Sequence, residues 1–426
     1  HRRPRAQLFC RIGRFSARGS PMKETEARPP VGIVWQVTAA AVCRLFLNTS
    51  RRFVYPFAPA LGRGLDVSLP AVTSLIAVNQ STSMLSLAFG PLADRLGHRR
   101  LFLSGLAALA VGMMLAFWVP VYAAVLVGLF LAGLGKSMFD PAILAFVGER
   151  VSYRRRALAV GALEVSWAGA ALVGLPLIGL LISRFGWRAP FLALGIAAVL
   201  GWIALLLLLP ARTPEETART APAGFRDAFG RICRSPIALR TLGFTLLFNG
   251  ASDVFFVVYG VWLEGTFHLN IAALGAAVTV IGAAELIGES ACAMLADRIG
   301  LARSLVGGVI LTAACYFLLP VIGNTLVGAL VGVFAIFVFF ELSIVVALSF
   351  FTEVLPGARA TMMAGYFGTA SLGRVIGAMI GGVAWTAGGI GAVCAVSGVM
   401  TGAALLLLLW GLKARESSER RSRETA

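Results

Sequence analysis

Long apolar stretches separated by short polar segments dominate the sequence. Twelve of these stretches are near the roughly 20 residues that cross a bilayer as a helix. The pattern therefore predicts an all-α membrane protein with twelve transmembrane helices. Numbered from the amino terminus as spans one to twelve, they cover residues 33–60, 68–93, 101–119, 121–147, 157–182, 188–209, 239–263, 272–295, 302–322, 324–352, 360–385 and 388–412.

A polar segment interrupted by prolines, residues 210–238, divides the spans into two sets of six. We interpret it as a cytoplasmic linker between an amino-terminal bundle, residues 32–209, and a carboxy-terminal bundle, residues 239–412. A basic cytoplasmic segment, residues 1–31, precedes the first bundle. A short cytoplasmic tail, residues 413–426, follows the second.

The composition and the distribution of charge support this topology. The chain is 58% hydrophobic with a mean hydropathy of +0.85 and only 13% charged residues, whereas a soluble domain has about 25%. Most of its 37 lysines and arginines lie in the tails and in the loops after even-numbered spans, while only Arg63, Arg184 and Arg188 fall in the opposite loops. This bias places both termini in the cytoplasm and predicts a bacterial-type inner (plasma) membrane protein. It also explains the net charge of +17 without nucleic acid as a partner.

A charged motif occurs once in each half of the chain. The hexapeptide LADRLG at residues 92–97 returns as LADRIG at residues 295–300, which is 203 residues later. A basic turn after span four also returns after span ten, since Arg156 and Arg359 are again 203 residues apart. These repeats indicate a duplication that gives two pseudo-symmetric six-helix bundles.

The first copy of the motif resembles the signature of the major facilitator superfamily, G-x-L-A-D-[RK]-x-G-[RK]-[RK]. Residues 90–100 match it from Gly90 onward, except that His98 stands where a basic residue is usual. The resemblance covers about residues 32–412. It implies a secondary transporter for a small-molecule substrate, with the two bundles around a central cavity, and it implies that one chain works alone.

The motif is expected to act as a conformational switch at the cytoplasmic face. Gly90 allows two helices to approach, and Gly97 can adopt a positive φ in a tight turn. Asp94 can face a helix amino terminus while Arg95 reaches an acid such as Glu149. The alternative is a loop that only sets topology. The other predicted members of the switch are Arg99, Asp297, Arg298, Glu353 and Arg359.

Charged residues inside the predicted spans indicate a polar pathway, because an ionised side chain at the bilayer centre costs roughly 2.5–3.5 kcal/mol on insertion scales. They fall in spans one, four, five, seven, eight, ten and eleven, whereas spans three, six, nine and twelve have none. In the family those four outer helices face lipid. The predicted substrate or proton pathway comprises Arg44, Asn48, Lys136, Asp140, Glu164, Asp253, Glu285, Glu341 and Arg374.

Some of these charges have a structural alternative to a transport role. Lys136 and Asp140 are spaced i, i+4 and can neutralise each other on one helix face. Arg51 and Arg52 lie farther along span one, where one of them can extend to the outer interface. Glu341 and Arg374 are candidates for an ion pair in the second half.

The sequence has no motif for an enzyme: it lacks a Walker loop, a G-x-S-x-G and an H-E-x-x-H. No metal or organic cofactor is expected, and a proton gradient is the predicted energy source. We predict alternating access with proton-coupled efflux of a small amphipathic or drug-like solute. The span-four antiporter signature R-x-x-x-G-x-G is incomplete, however, because Leu129 replaces its arginine while Gly133 and Gly135 remain.

Three alternatives therefore stay open at this point. Arg44, Lys136 and Arg374 suggest proton-coupled uptake of an organic anion. Lateral access between helices would suit a lipid or lysolipid. A membrane sensor or scaffold without transport is the third.

Overall fold

The chain folds into helices in all regular parts that the structure describes. The computed structural model describes residues 31–86, 89, 97–150, 163, 165–209, 234–351, 354 and 359–424. The helices are α1 Val31–Arg52, α2 Ala58–Leu65, α3 Leu69–Ser81 with a 3₁₀ extension Thr82–Leu85, α4 His98–Trp118, α5 Tyr122–Arg150, α6 Val165–Phe185, α7 Ala189–Leu208, α8 Pro236–Phe256, α9 Tyr259–Phe267, α10 Ile271–Ala277, α11 Thr279–Ile299, α12 Leu301–Ile322, α13 Leu326–Phe351 and α14 Arg359–Glu424.

Within those residues, nine helices are long and apolar enough to cross a membrane if α8 with α9, and α10 with α11, each count as one. The pair α2 and α3, bent by 114°, makes a tenth. The all-α membrane fold is thus confirmed. The order of helical segments follows the predicted spans, because α14 has non-helical backbone at Gly388 and Gly389, where the sequence separates span eleven from span twelve. The number twelve itself stays a prediction.

The first span departs from its predicted bounds. It was expected to run to residue 60, but α1 ends at Arg52 and α2 begins separately at Ala58. Two prolines explain the break, since Pro56 cannot donate a hydrogen bond to a continuing helix and Pro59 is favoured in a first helical turn. The turn between them brings residues 53–57 into the protein interior, which matters for the site described below.

Backbone conformation repeats between the halves as the duplicated motif predicts. Gly97 precedes α4 with φ 85° and ψ 145°, and Gly300 precedes α12 with φ 88° and ψ 148°. Asp66 after α2 and His268 after α9 are likewise left-handed, with φ of 56° and 52°. The positive φ predicted for Gly97 is therefore confirmed, and its counterpart Gly300 shares it.

The two halves touch at the end that carries the loops after odd-numbered spans, which we call the outer end. Gly260 on α9 lies directly against the carbonyl of Pro56, where a β-carbon would overlap the backbone. Between α2 and α9, Arg63 and Glu264 form an ion pair of 2.8 Å. The first part of α14 packs on α3, and α6 packs on α10. The outer end is accordingly closed.

The predicted linker, residues 210–238, falls largely on residues 210–233, which lie outside the described part. Helix α8 begins at Pro236, a few residues before the predicted start of the second bundle. The division into an amino-terminal segment, two bundles, a linker and a tail otherwise stays a prediction.

Candidate functional site

A buried ionic cluster joins α1 to α5 in the amino-terminal half. The carboxylate of Asp140 accepts a hydrogen bond from Arg44 Nε at 3.1 Å and another from Lys136 Nζ at 2.6 Å. Lys136 Nζ also donates to Asn48 Oδ1 at 2.6 Å. The pairing of Lys136 with Asp140 predicted from their i, i+4 spacing is present. The cluster contains two cations for one described carboxylate.

Helix α6 and the residue just before it hold this cluster in place. Arg44 Nη1 donates to the carbonyl of Leu163 at 2.7 Å, and Asn48 Nδ2 donates to Ser166 Oγ at 3.2 Å. Farther along α6, residues 170–174 form a π-helical turn ahead of Pro176. Such turns accommodate a proline that lacks its N–H and are frequent at functional sites. The irregular helix thus lies beside the charged groups.

A second ion pair crosses from one half to the other. Arg52 on α1 donates from Nη1 and Nη2 to the two carboxylate oxygens of Glu285 on α11, at 2.9 and 2.7 Å. Both side chains are only 3% exposed. The guanidinium also stacks on the ring of Trp167, 4.5 Å from its centroid. The expectation that Arg51 or Arg52 extends to the outer interface is wrong, because both side chains are buried.

A chain of hydrogen bonds forms another link between the halves. Arg51 on α1 donates to Gln80 Oε1 through Nε at 2.8 Å, and Gln80 Nε2 donates to the hydroxyl of Tyr55. Tyr55 in turn donates to Asp253 Oδ1 on α8 at 2.6 Å. Asp253 Oδ2 lies 3.8 Å from Arg374 Nε on α14. Mid-membrane polar groups of both halves are therefore connected.

Glu341 on α13 differs from the other buried acids. It is 9% exposed, and it forms no ion pair with any residue that the structure describes. The suggested pair with Arg374 is not formed, because Arg374 lies nearer to Asp253 and donates to Asn249 Oδ1 at 3.4 Å. The charges that act most on Glu341 are those of Glu285, Glu289, Arg374 and Arg52.

The duplication accounts for the absence of an ion pair at Glu341 among the described residues. Glu341 on α13 lies 201 residues after Asp140 on α5. The same offset takes Arg44 to Thr245 and takes Lys136 to Phe337. The equivalent positions of the second half therefore hold the carboxyl without either cation.

Only some of the residues predicted for the conformational switch, and not Glu164 of the predicted pathway, lie in the described part of the chain. Arg99 donates from Nη2 to the carbonyl of Leu206 on α7 at 2.9 Å, so its described contact is within the first bundle. Gly90, Asp94, Arg95, Glu164 and Glu353 lie outside the described residues. The side chains of Glu149, Asp297, Arg298 and Arg359 also lie outside them, so the conformational switch stays a prediction.

Sequence reasoning overlooked Arg52, Tyr55, Gln80 and Trp167 as site residues. A signal for the first was present, because Arg44, Asn48 and Arg52 are spaced by four and so lie along one face of α1. Thr245, Asn249 and Asp253 repeat that stripe 201 residues later on α8. Nothing comparable singles out Gln80 or Trp167, whose roles depend on tertiary contacts.

Comparison with known proteins agrees with this architecture. Residues 40–261 and 242–426 match the Major Facilitator Superfamily. The inner membrane transport protein YdhP of Escherichia coli K12 is 25% identical over 402 residues, covering 91% of this chain and 98% of that protein. The MFS-type transporter YceJ of Bacillus subtilis is 28% identical over 69% of this chain and 74% of its own length.

Among solved structures, a bacterial homologue of the human lysosomal transporter Spinster, crystallised inward-facing and unoccupied, shares the fold. Its TM-score is 0.69 at 13% identity, with 89% of this chain and 95% of that chain covered. The sequence match spans both halves, and buried polar groups connect them in a fold of apolar helices. The chain belongs to the major facilitator superfamily and is an integral membrane secondary transporter.

Proposed function

We propose that the protein exchanges protons for a small amphipathic or drug-like solute and uses proton influx to export it. The observation that carries this proposal is Glu341, a buried carboxyl without an ion-pair partner in the described chain. Such a group can hold either a proton or a cationic part of a solute. Because the two occupants compete for one carboxyl, binding of one favours release of the other.

The ion pair and the hydrogen-bond chain between the halves support alternating access. Arg52 with Glu285, and Tyr55 with Asp253, tie α1 to the second half while the outer end is closed. These contacts must break when that end opens. A proton or solute drives the change only if it binds the two states unequally. The buried charges that link the halves lie where both a bound proton and a bound solute would alter these contacts.

Proton-coupled uptake of an organic anion is the second candidate, favoured by Arg51. This residue is 7% exposed, and both of its described hydrogen bonds go to Gln80 Oε1. The other cations suggested for anion binding are engaged, since Arg44 and Lys136 bind Asp140 and Arg374 lies near Asp253. We therefore place exchange first.

The test is luminal pH in proteoliposomes of the purified protein with an acid interior. Lipophilic cations, organic acids, zwitterionic amino acids and sugars are added outside in turn. Solute uptake with luminal alkalinisation is expected, and Glu341→Gln should abolish the alkalinisation. Glu264→Gln, an acid at the outer end, serves as the matched control. Solute-driven acidification would instead establish symport, and no solute-dependent pH change would contradict proton coupling.

A further inference from the structure

Two buried charges remain without an ionic partner among the described residues, and they lie in opposite halves. Arg51 on α1 binds only the amide oxygen of Gln80, while Glu341 on α13 has no ion pair. They are 7% and 9% exposed. A buried charge without a direct ion pair is costly, so a ligand that forms ion pairs with both groups would be favoured.

The two charges belong to one electrostatic neighbourhood. Arg374 is among the charges that act on Arg51 and also among those that act on Glu341. Its own carboxylate neighbour is Asp253, which the hydroxyl of Tyr55 also binds. Arg51 and Glu341 thus share Arg374 as a charged neighbour.

The other membrane charges are distributed between the halves in the same way as Arg51 and Glu341, with mostly cations in the first half and mostly acids in the second. Among described membrane residues, the first half contributes Arg44, Arg51, Arg52 and Lys136 against Asp140. The second half contributes Asp253, Glu285, Glu289 and Glu341 against Arg374. The described membrane charges of the first half are therefore mainly cationic, and those of the second half are mainly acidic.

From these observations we infer that the transported solute is zwitterionic, with its anionic group bound toward Arg51 and its cationic group toward Glu341. A purely cationic solute would form no ion pair with Arg51, and a purely anionic one would form none with Glu341. Trp167 and Phe256 flank Arg52 at 4.5 and 6.0 Å from their centroids, so aromatic rings lie beside the groups that connect the halves.

This inference rests on the proposed function, because it names the substrate class of the same site. It also states why one solute engages both halves: its two charged ends have their partners on α1 and on α13. Protonation of Glu341 removes the partner of the cationic end, so it weakens binding of the zwitterion. The groups that face Glu341 and modulate this effect are Glu285 and Glu289 on α11, Arg374 on α14 and Arg52 on α1.

Matched ligand series test the inference with the full chain in detergent, without any proton gradient. For alanine, leucine, phenylalanine and tryptophan, the free amino acid, its cationic methyl ester and its anionic N-acetyl derivative are titrated while thermal unfolding is followed. The free amino acid should give the lowest apparent Kd in at least one side-chain series. Loss of either charged contact should weaken binding about 10- to 100-fold, as expected for hydrogen bonds to charged groups.

Two variants assign the ends of the ligand. Arg51→Gln should make the free amino acid and its ester bind alike, and Glu341→Gln should make the free amino acid and its N-acetyl derivative bind alike. Arg51→Lys keeps the charge and should keep part of the preference if Arg51→Gln does not fold. Arg63→Gln at the outer end is the matched control and should change neither comparison.

The inference is overturned if the ester or the N-acetyl derivative binds as well as the free amino acid in every series, or if no free amino acid binds. These outcomes are separate from those of the proton assay. Zwitterion binding without solute-driven pH change would contradict proton exchange and leave the substrate class standing. A pH change driven only by simple cations would support proton exchange and contradict the zwitterionic substrate class.

Discussion

Arg52 and Glu285 form a bidentate ion pair that joins the two halves of the protein inside the membrane, with N–O distances of 2.9 and 2.7 Å. Two-point geometry of this kind is typical of strong guanidinium–carboxylate recognition. Since both side chains are buried, neither can exchange its partner for water while the outer end stays closed. The pair is therefore expected to stabilise the outer-closed state.

Arg52→Gln should destabilise that state, because breaking a buried pair by removing one partner costs about 3–5 kcal/mol. The measurement is labelling of Thr73→Cys by an impermeant thiol reagent in a background without native cysteines. Thr73 is 3% exposed and lies against Gly382 at the closed end. Labelling should become faster in the Arg52 variant.

Arg63→Gln provides the control, because it removes an ion pair between the same halves whose arginine side chain is 59% exposed. Exposed pairs contribute about 0–1 kcal/mol, so labelling should change little. Equal labelling rates in both variants would show that the buried pair has no special part in closure.

The cluster around Asp140 predicts unequal effects for its members. Asp140→Asn removes the carboxylate that binds both Arg44 and Lys136 and leaves two cations close together, so it should lower the thermal unfolding temperature strongly. Lys136→Gln leaves Arg44 on Asp140 and should be milder. The double variant should be more stable than Asp140→Asn alone, which a double-mutant cycle measures directly. Additive effects would rule out coupling within the cluster.

Close contact at Gly260 predicts a conformational variant. A β-carbon there would overlap the carbonyl of Pro56, whereas a β-carbon at Gly265 on the same helix has nothing within 4 Å. Gly260→Ala should hinder closure of the outer end and speed labelling of Thr73→Cys. Gly265→Ala should not. If both variants label like the parent protein, the contact between α9 and the turn before α2 is not tight in the membrane.

Because Asp140 and Glu341 are at equivalent positions, a substitution can give Glu341 the counter-ion that Asp140 has in Lys136. Phe337 stands at the position equivalent to Lys136, four residues before Glu341. Phe337→Lys should place an ammonium within reach of that carboxylate and suppress solute-driven proton movement, as Glu341→Gln does. Phe337→Met controls for loss of the aromatic contacts of Phe337 with Phe256 and Phe340. Unchanged proton movement in the lysine variant would mean that Glu341 is not the exchanging group.

The fold was largely predictable because bilayer crossing leaves a strong hydropathy signal, and because the motif at residues 92–97 returns 203 residues later. Helix ends were less predictable. Pro56 and Pro59 were present in the sequence, but whether a proline bends a helix or ends it depends on the packing around it. Helix α8 ends at Phe256, and no proline near that residue indicates the break.

The site was predictable as a set of charges and not as a set of contacts. Insertion cost alone identified Arg44, Asp140 and Glu285 as unusual. The ion-pair partners of these residues depend on which helices pack together. A single sequence has no simple pattern that shows which helices are neighbours. Arg52 was therefore misjudged, although its spacing from Asn48 was informative. The i, i+4 pair of Lys136 with Asp140 was correct because a single helix determines its geometry.

The pairs at the outer end have a further meaning in terms of ancestry. Tyr55 stacks on Phe256 with centroids 4.4 Å apart, and Arg63 binds Glu264; both pairs are 201 residues apart in sequence. In each case a residue faces its own duplicate across the axis that relates the halves. In a symmetric dimer of two identical subunits, a residue next to the two-fold axis would face the same residue of the other subunit. When both copies are joined in one chain the two positions can differ, so the same site can hold a complementary pair such as Arg63 with Glu264.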